Sequence, residues 1–241
     1  MSDDIEDTAG IMLAEREGLV RRIPGLLDSL SESDRGRILG IGTKRSFLAE
    51  EPLFRQGDTG DGIYLIESGR IRSFYIAPSG REVTLAYWFP GNFVGAPDIF
   101  GGGTNMWGSS AVQPSTIIFI PGRELRQLAL SSAVIAVALL DALSFKARCY
   151  SAMAQMLGTR SATERLEHLL VFLAAVYGLK EREGTVIAAS LTHADLASLI
   201  GSTRQWVTVQ LARLQRRGIV RYNRGLLVVC DLDALGVRKR P

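Results

Sequence analysis

The stretch Thr192–Gly218, THADLASLIGSTRQWVTVQLARLQRRG, sets two short amphipathic patterns on either side of a Gly-Ser-Thr break and ends in a basic cluster. Thr192 and Asp195 form a capping-type pair, which satisfies the free N–H groups at a helix start. Leu196, Leu199 and Ile200 supply the buried stripe of a first helix, and Gly201 permits a sharp turn. Thr203 or Ser202 caps a second helix whose Val207, Leu211 and Leu214 form its core face. Opposite that face lie Gln205, Val209, Ala212, Arg213 and Arg216; Arg204 stands on the flank, in the first turn.

This pattern suits the major groove of DNA. The N-terminal turn carries a partial positive charge, Arg204 can pair bidentately with guanine and Gln205 with adenine, and Val209 can lie against a thymine methyl. A bland alternative is two core helices with an ordinary solvated face. The flanking sequence decides against it. Upstream, LKEREGTVIAASL reads as a strand; downstream, GIVRYNRGLLVVCDL reads as a hairpin around Asn223-Arg224-Gly225, which together give the order of a winged helix-turn-helix. The charge agrees. Residues 1–158 hold 15 Lys/Arg and 18 Asp/Glu, whereas residues 159–241 hold 13 and 7, so a net +3 conceals a basic C-terminal third of +6.

From Phe47 to Pro121 short β-rich runs alternate with glycine turns at Gly57, Gly62, Gly69, Gly80 and Gly91, the pattern of an antiparallel roll or sandwich. IESGRIRSFYIAPSGREVTLAYW reads as successive hairpins. After Pro121 the pattern turns helical, and a run from about Ser131 meets no Pro or Gly before Gly158. Leu140, Leu143, Ala147, Tyr150, Ala154 and Leu157 recur at spacings of three and four, a coiled-coil seam that predicts a dimer; the alternative is a helix buried in its own domain. SATE at 161–164 is a capping box with Ser161 as N-cap, so a new helix starts there and runs through RLEHLLVFLAAVYG, and the break before it is the expected hinge.

Composition bounds the rest. With 241 residues and 46% apolar content the chain can pack a substantial core. The start, MSDDIEDTAG, is acidic and lacks an apolar h-region, and the longest aliphatic run, AVIAVALL at 133–140, is far short of the roughly 20 residues of a membrane span. Cys149 and Cys230 match neither a disulfide framework nor a metal site, which points to a reducing compartment and a cytoplasmic protein. An enzyme of the cupin type needs clustered His and Glu, and no His precedes His168; no catalytic residue, metal or cofactor is expected. A β-roll serving as a regulatory or interaction module without specific DNA binding would leave the basic helix-turn-helix unexplained.

Order of elements and residues together resemble the Crp/Fnr family of bacterial transcription regulators, over nearly the whole chain from about residue 25. FRQGDTGDGIYLIESGRIR and GREVTLAYWFPGNFVG are similar to the family's cyclic-nucleotide-binding-type roll; IGSTRQWVTVQLARLQRRGIV is similar to its recognition helix. The resemblance implies an α+β chain: a tail at 1–24, a β-roll sensor at 25–130, a dimerisation helix at 131–160 and a winged helix-turn-helix at 161–241. It further implies a homodimer on double-stranded DNA with an inverted-repeat operator, contact with RNA polymerase, and an effector in the roll. Thr203, Arg204, Gln205, Trp206, Thr208, Val209 and Arg213, with His193 and Arg224, are the implied DNA-binding residues. The family's base-reading Arg-Glu pair is here Arg204-Gln205, so an amide that donates and accepts replaces an acid, and Val209 stands where known members carry a second Arg. Trp206 occupies the place of a small phosphate-contacting residue, in a role of packing or of backbone contact.

The sensor departs further. Cyclic-AMP-binding members hold the ribose with a Glu and the phosphate with an Arg; in FVGAPDIFGGGTNMWGSSAV Ala96 replaces the Glu, and Met106 or Trp107 stands near the Arg position. A cyclic phosphate would lack its charge partner, so an effector other than cyclic AMP, or none, is expected. Cluster and haem sensing lack their cysteines and histidines. Trp88, Gly95, Ala96, Trp107 and Ser109 of the roll, with Tyr150 and Ser151 of the long helix, are the candidate effector residues; alternatively, the aromatics fill a collapsed cavity.

Overall fold

In a computed structural model of the protein, residues 25–182, 184–187, 191–223 and 226–235 are described. They fall within two compact units, one drawn from residues 22–80 and 84–150, the other from 81–83 and 151–241. The tail at 1–24 and the turn residues Arg224 and Gly225 lie outside the described residues.

The first unit opens with helix α1 (Glu32–Gly40), capped by Ser31, whose hydroxyl accepts from Asp34 N at 3.1 Å. Ten strands follow: β1 (Thr43–Phe47), β2 (Pro52–Phe54), β3 (Thr59–Gly60), β4 (Gly62–Ser68), β5 (Ile71–Ile76), β6 (Glu82–Trp88), β7 (Phe93–Gly95), β8 (Gly103–Thr104), β9 (Gly108–Ala111) and β10 (Ser115–Pro121). One sheet has the order β1-β10-β4-β7 and another β2-β9-β5-β6, while β3 and β8 pair alone. Helices α2 (Gly122–Ser131) and α3 (Ala133–Thr159) complete the run. Period-2 alternation puts Ile63 and Leu65 of β4 and Ile118 and Ile120 of β10 into one core, where Ile38, Leu125, Ile135 and Leu139 of the helices close over them.

Two expectations are corrected here. The first of the successive hairpins is a crossing between sheets: β4 pairs with β10 and β7, whereas β5 pairs with β9. Gly69, at φ +93°, makes the corner, where any Cβ would collide with Ser115. A glycine marks a tight bend but does not say which strand the chain pairs with afterwards. The seam is also turned at alternate positions. Leu143 packs on its own core and Tyr150 and Leu157 are half-buried, while the exposed three-and-four series is Val137, Leu140, Ser144, Ala147, Ser151, Ala154 and Gly158. Helical spacing alone does not say which of two adjacent stripes faces the chain's own core, and here Leu143 belongs to that core while Val137 and Leu140 face out.

The second unit takes the last residues of α3 and then helix α4 (Ala162–Tyr177), whose Ser161–Glu164 capping box forms in full. Where one strand was expected, a hairpin of β11 (Gly178–Glu181) and β12 (Gly184–Ile187) is present. Helices α5 (His193–Leu199) and α6 (Arg204–Arg216) come next, then β13 (Val220–Asn223) and β14 (Leu226–Val229), in a sheet of order β11-β12-β14-β13. Gly201 takes φ +61° in the turn between α5 and α6. At the far end Gly218 takes φ +71°, and Ile219 N–H donates back to Leu214 O at 3.0 Å, a Schellman closure that aims the chain into the wing.

Candidate DNA interface and effector pocket

Both helices of the helix-turn-helix, α5 and α6, are fixed by buried residues and capped at their N-termini. Thr192 accepts from Asp195 N while Asp195 accepts from Thr192 N, the complete capping box expected for α5. Thr203 caps α6, accepting from Trp206 N at 3.2 Å. Val207, Leu211 and Leu214 are buried, so the opposite side must face outward. There Arg204, Gln205, Ala212, Arg213 and Arg216 are exposed, and Val209 presents an aliphatic surface 44% exposed. Trp206 is half-buried at the helix start. Arg213, Arg216 and Arg217 rim an open groove of about 480 Å³ floored by Leu166 and Leu214. Its acid, Glu167, has a carboxyl raised above its ordinary range by burial, against the opposing pull of Arg217. The outer side of α6 thus combines exposed Val209 and Ala212 with several cations, a mixture suited to bases and phosphates respectively.

Thr208 and His193 stand beside this face rather than free upon it. The hydroxyl of Thr208 donates to Arg204 O at 2.9 Å. His193 reaches Thr208 with Nδ1 and the Tyr222 hydroxyl with Nε2. Burial raises the Tyr222 phenol above its ordinary value.

Of the candidate effector residues, Trp88, Trp107, Ser109 and Tyr150 meet around one aromatic cluster of the first unit. Trp88 is buried; its Nε1–H donates to Ser73 Oγ at 3.1 Å, and Ser73 shares a hydrogen bond with Ser109 at 2.8 Å. The Tyr150 ring stands edge-on to Trp88 at 6.0 Å and tilted to Trp107 at 5.5 Å. Trp107 turns inward as a half-buried ring, whereas Met106 is exposed. Gly95 bends at φ +153°, where a Cβ would come within 2.8 Å of Gly62 O. Ala96 is buried against Gly60, which has no room for a Cβ of its own. Ser151 is exposed.

Two buried polar atoms of this unit, the Tyr150 hydroxyl and Asn105 Oδ1, have no hydrogen-bond partner among the described residues. Such a group costs about 1–3 kcal/mol. Burial accordingly holds the Tyr150 phenol far above its ordinary titration range.

Lys146 was not among the expected site residues. It is buried, donates to Phe93 O at 2.9 Å, and has its nitrogen over the Trp88 and Phe93 rings. Burial pushes its amine down to about 7. Its neighbour Cys149 is pushed up to about 11 by burial, which makes it an inert thiol. The sequence carried a signal for Lys146: it interrupts the stripe Leu139, Ala142, Lys146, Cys149 on the inward side of the helix. No group of three or more His, Cys, Asp or Glu able to hold a metal occurs among the described residues.

Comparison with known proteins agrees with this geometry. Residues 44–132 match the cyclic nucleotide-binding domain, and residues 164–237 the Crp-like helix-turn-helix domain. The chain is 26% identical over 210 residues to the cyclic AMP receptor protein of Thermus thermophilus, covering 87% of this chain and 94% of the relative. It is 26% identical over 198 residues to the anaerobic regulatory protein of Haemophilus influenzae, covering 81% and 76% respectively. Among solved structures, the c-di-GMP responsive global regulator CLP of Xanthomonas campestris superposes with a TM-score of 0.74 at 22% identity, covering 83% of this chain and 100% of that one.

Proposed function

The chain belongs to the Crp/Fnr family of DNA-binding transcription regulators with an effector-sensing cyclic-nucleotide-binding-type domain, and on that premise we propose that it acts as a homodimer on an inverted-repeat operator. The observation that carries the reading is α6, whose N-terminal turn and outer face offer Arg204, Gln205 and Val209 together, next to a wing. Arg204 reads guanine, Gln205 adenine and Val209 a thymine methyl; Thr203, Trp206, Thr208, Arg213, His193 and Arg224 position the helix on the backbone. The exposed apolar start of the α3 seam, Val134, Val137 and Leu140, supports the dimer.

The sensor reading is an effector other than cyclic AMP, or constitutive activity. Ala96 cannot accept from ribose hydroxyls, and neither Met106 nor Trp107 neutralises a phosphate. The Tyr150 hydroxyl, beside Trp88 and Trp107 and without a hydrogen-bond partner among the described residues, supports an uncharged or weakly polar ligand with an acceptor, admitted when Trp107 moves. The division into a sensor at 25–130, a dimerisation helix at 131–160 and a reading head at 161–241 follows from the same reading, as do contact with RNA polymerase and a cytoplasmic site of action. No catalytic role is assigned.

Selection of bound fragments from random DNA, with and without metabolite pools, tests this proposal. The expected product is an inverted repeat whose affinity falls steeply with salt. Recovery of random sequence only would overturn the specific reading.

A further inference from the structure

Three side chains from three elements form a relay beside the reading helix. His193 opens α5, Thr208 stands one turn after Arg204 on α6, and Tyr222 lies on β13. Nδ1 of the imidazole is 2.8 Å from Thr208 Oγ1, and Nε2 is 2.7 Å from the Tyr222 hydroxyl. Thr208 gives its single hydroxyl proton to Arg204 O. Its lone pairs therefore face the ring, and Nδ1 carries the proton. In the neutral ring Nε2 is then bare, so Tyr222 donates inward. This is the one neutral tautomer in which all three contacts are hydrogen bonds. Protonation of Nε2 reverses the last of them: Nε2–H donates to the phenol oxygen, and the Tyr222 O–H swings out to solvent, where the residue is 41% exposed.

We propose that Tyr222 is a contact to a DNA backbone phosphate, and that each protomer takes up one proton, at His193, when DNA binds. The inference rests on the DNA-binding reading above. A phosphate oxygen only accepts, so it needs an outward O–H, and the imidazolium is what releases one. The charged groups on the surrounding elements favour such a linkage. On α5, Asp195 is already engaged by Thr192, at 2.7 Å from its N and 2.6 Å from its hydroxyl. Exposed Arg204 stands one turn before Thr208 on α6. A phosphate polyanion brought to this face favours the imidazolium directly.

The test uses the full chain and a DNA fragment selected by it. Affinity is measured at fixed salt between about pH 5 and 8, where imidazole titrates, and proton uptake is obtained by calorimetry in two buffers of different ionisation heat. Affinity is expected to fall with rising pH by up to about tenfold per pH unit for each protomer, with uptake of up to one proton per protomer where the slope is steepest. Tyr222→Phe should bind across the range as weakly as the wild type does at high pH, while His168→Gln keeps the full slope. Wild-type binding without proton uptake overturns the proposal and needs no variant. So does a Tyr222→Phe slope equal to the wild type, or an Nε2–H tautomer found by nitrogen NMR in the free protein. A folded chain that binds no DNA at any pH overturns the parent reading instead.

Discussion

The ammonium nitrogen of Lys146 sits 3.7 Å from the centroid of the Trp88 indole, and the hydrogen bond it donates ends on the Phe93 carbonyl. A cation held by a ring face and one carbonyl is compensated only in part for leaving water. The long helix and the roll are joined at this point, one turn before Tyr150.

The first prediction follows from the sign of that shift. Between a folded value of about 7 and an ordinary 10.5, the unfolded chain holds more protons at this lysine than the native one does. Stability contributed by Lys146 therefore rises with pH across that window. Lys146→Met should raise the melting temperature most below pH 7, and its advantage should shrink by about 1.4 kcal/mol per pH unit above it. A melting-temperature difference that is the same at both ends of the window would show that Lys146 stays charged throughout.

Arg204→Ala should weaken operator binding by about 1–3 kcal/mol per half-site and relax preference at one base pair. Gel-shift titration on selected and scrambled DNA checks this. An equal loss on both would make Arg204 a phosphate contact.

Ala147→Glu puts like charges into the outward face of α3, and should give monomers with poor operator affinity. Leu143→Glu, on the inward side, should instead unfold the first unit. Sedimentation and circular dichroism separate the two outcomes. A dimeric Ala147→Glu protein would move the interface off this helix.

Tyr150→Phe removes a buried hydroxyl that has no partner among the described residues, and should stabilise the effector-free protein by about 1 kcal/mol. Cyclic AMP at a hundredfold excess over a real dissociation constant would add about 2.7 kcal/mol, and none is expected in thermal shift. A compound that does stabilise the wild type should lose its effect in Tyr150→Phe and must also alter operator affinity.

The reading head was legible because its signals are local. Ser161 with Glu164 and Thr192 with Asp195 announce their helices within four residues, and Val207, Leu211 and Leu214 need only the helical period to be assigned a face. What could not be read depends on partners far apart in the chain. Gly69 signals a bend, but the choice of β10 over β5 as the neighbour of β4 is made about fifty residues later. His193 and Tyr222 are 29 residues apart and meet only when the wing folds back. Leu143 fits a dimer seam and an internal core equally well by spacing; only the volume of the roll beneath it decides.

The outward series on α3 also has a genetic consequence. If two copies share one seam while each carries its own reading helix, a chain crippled at Arg204 but sound at Leu140 and Ala147 still captures a normal chain and spoils it. Such an allele would be dominant in a cell that also makes the normal protein. A charge at Ala147 takes the defective chain out of circulation, so the same cell would score that allele as recessive.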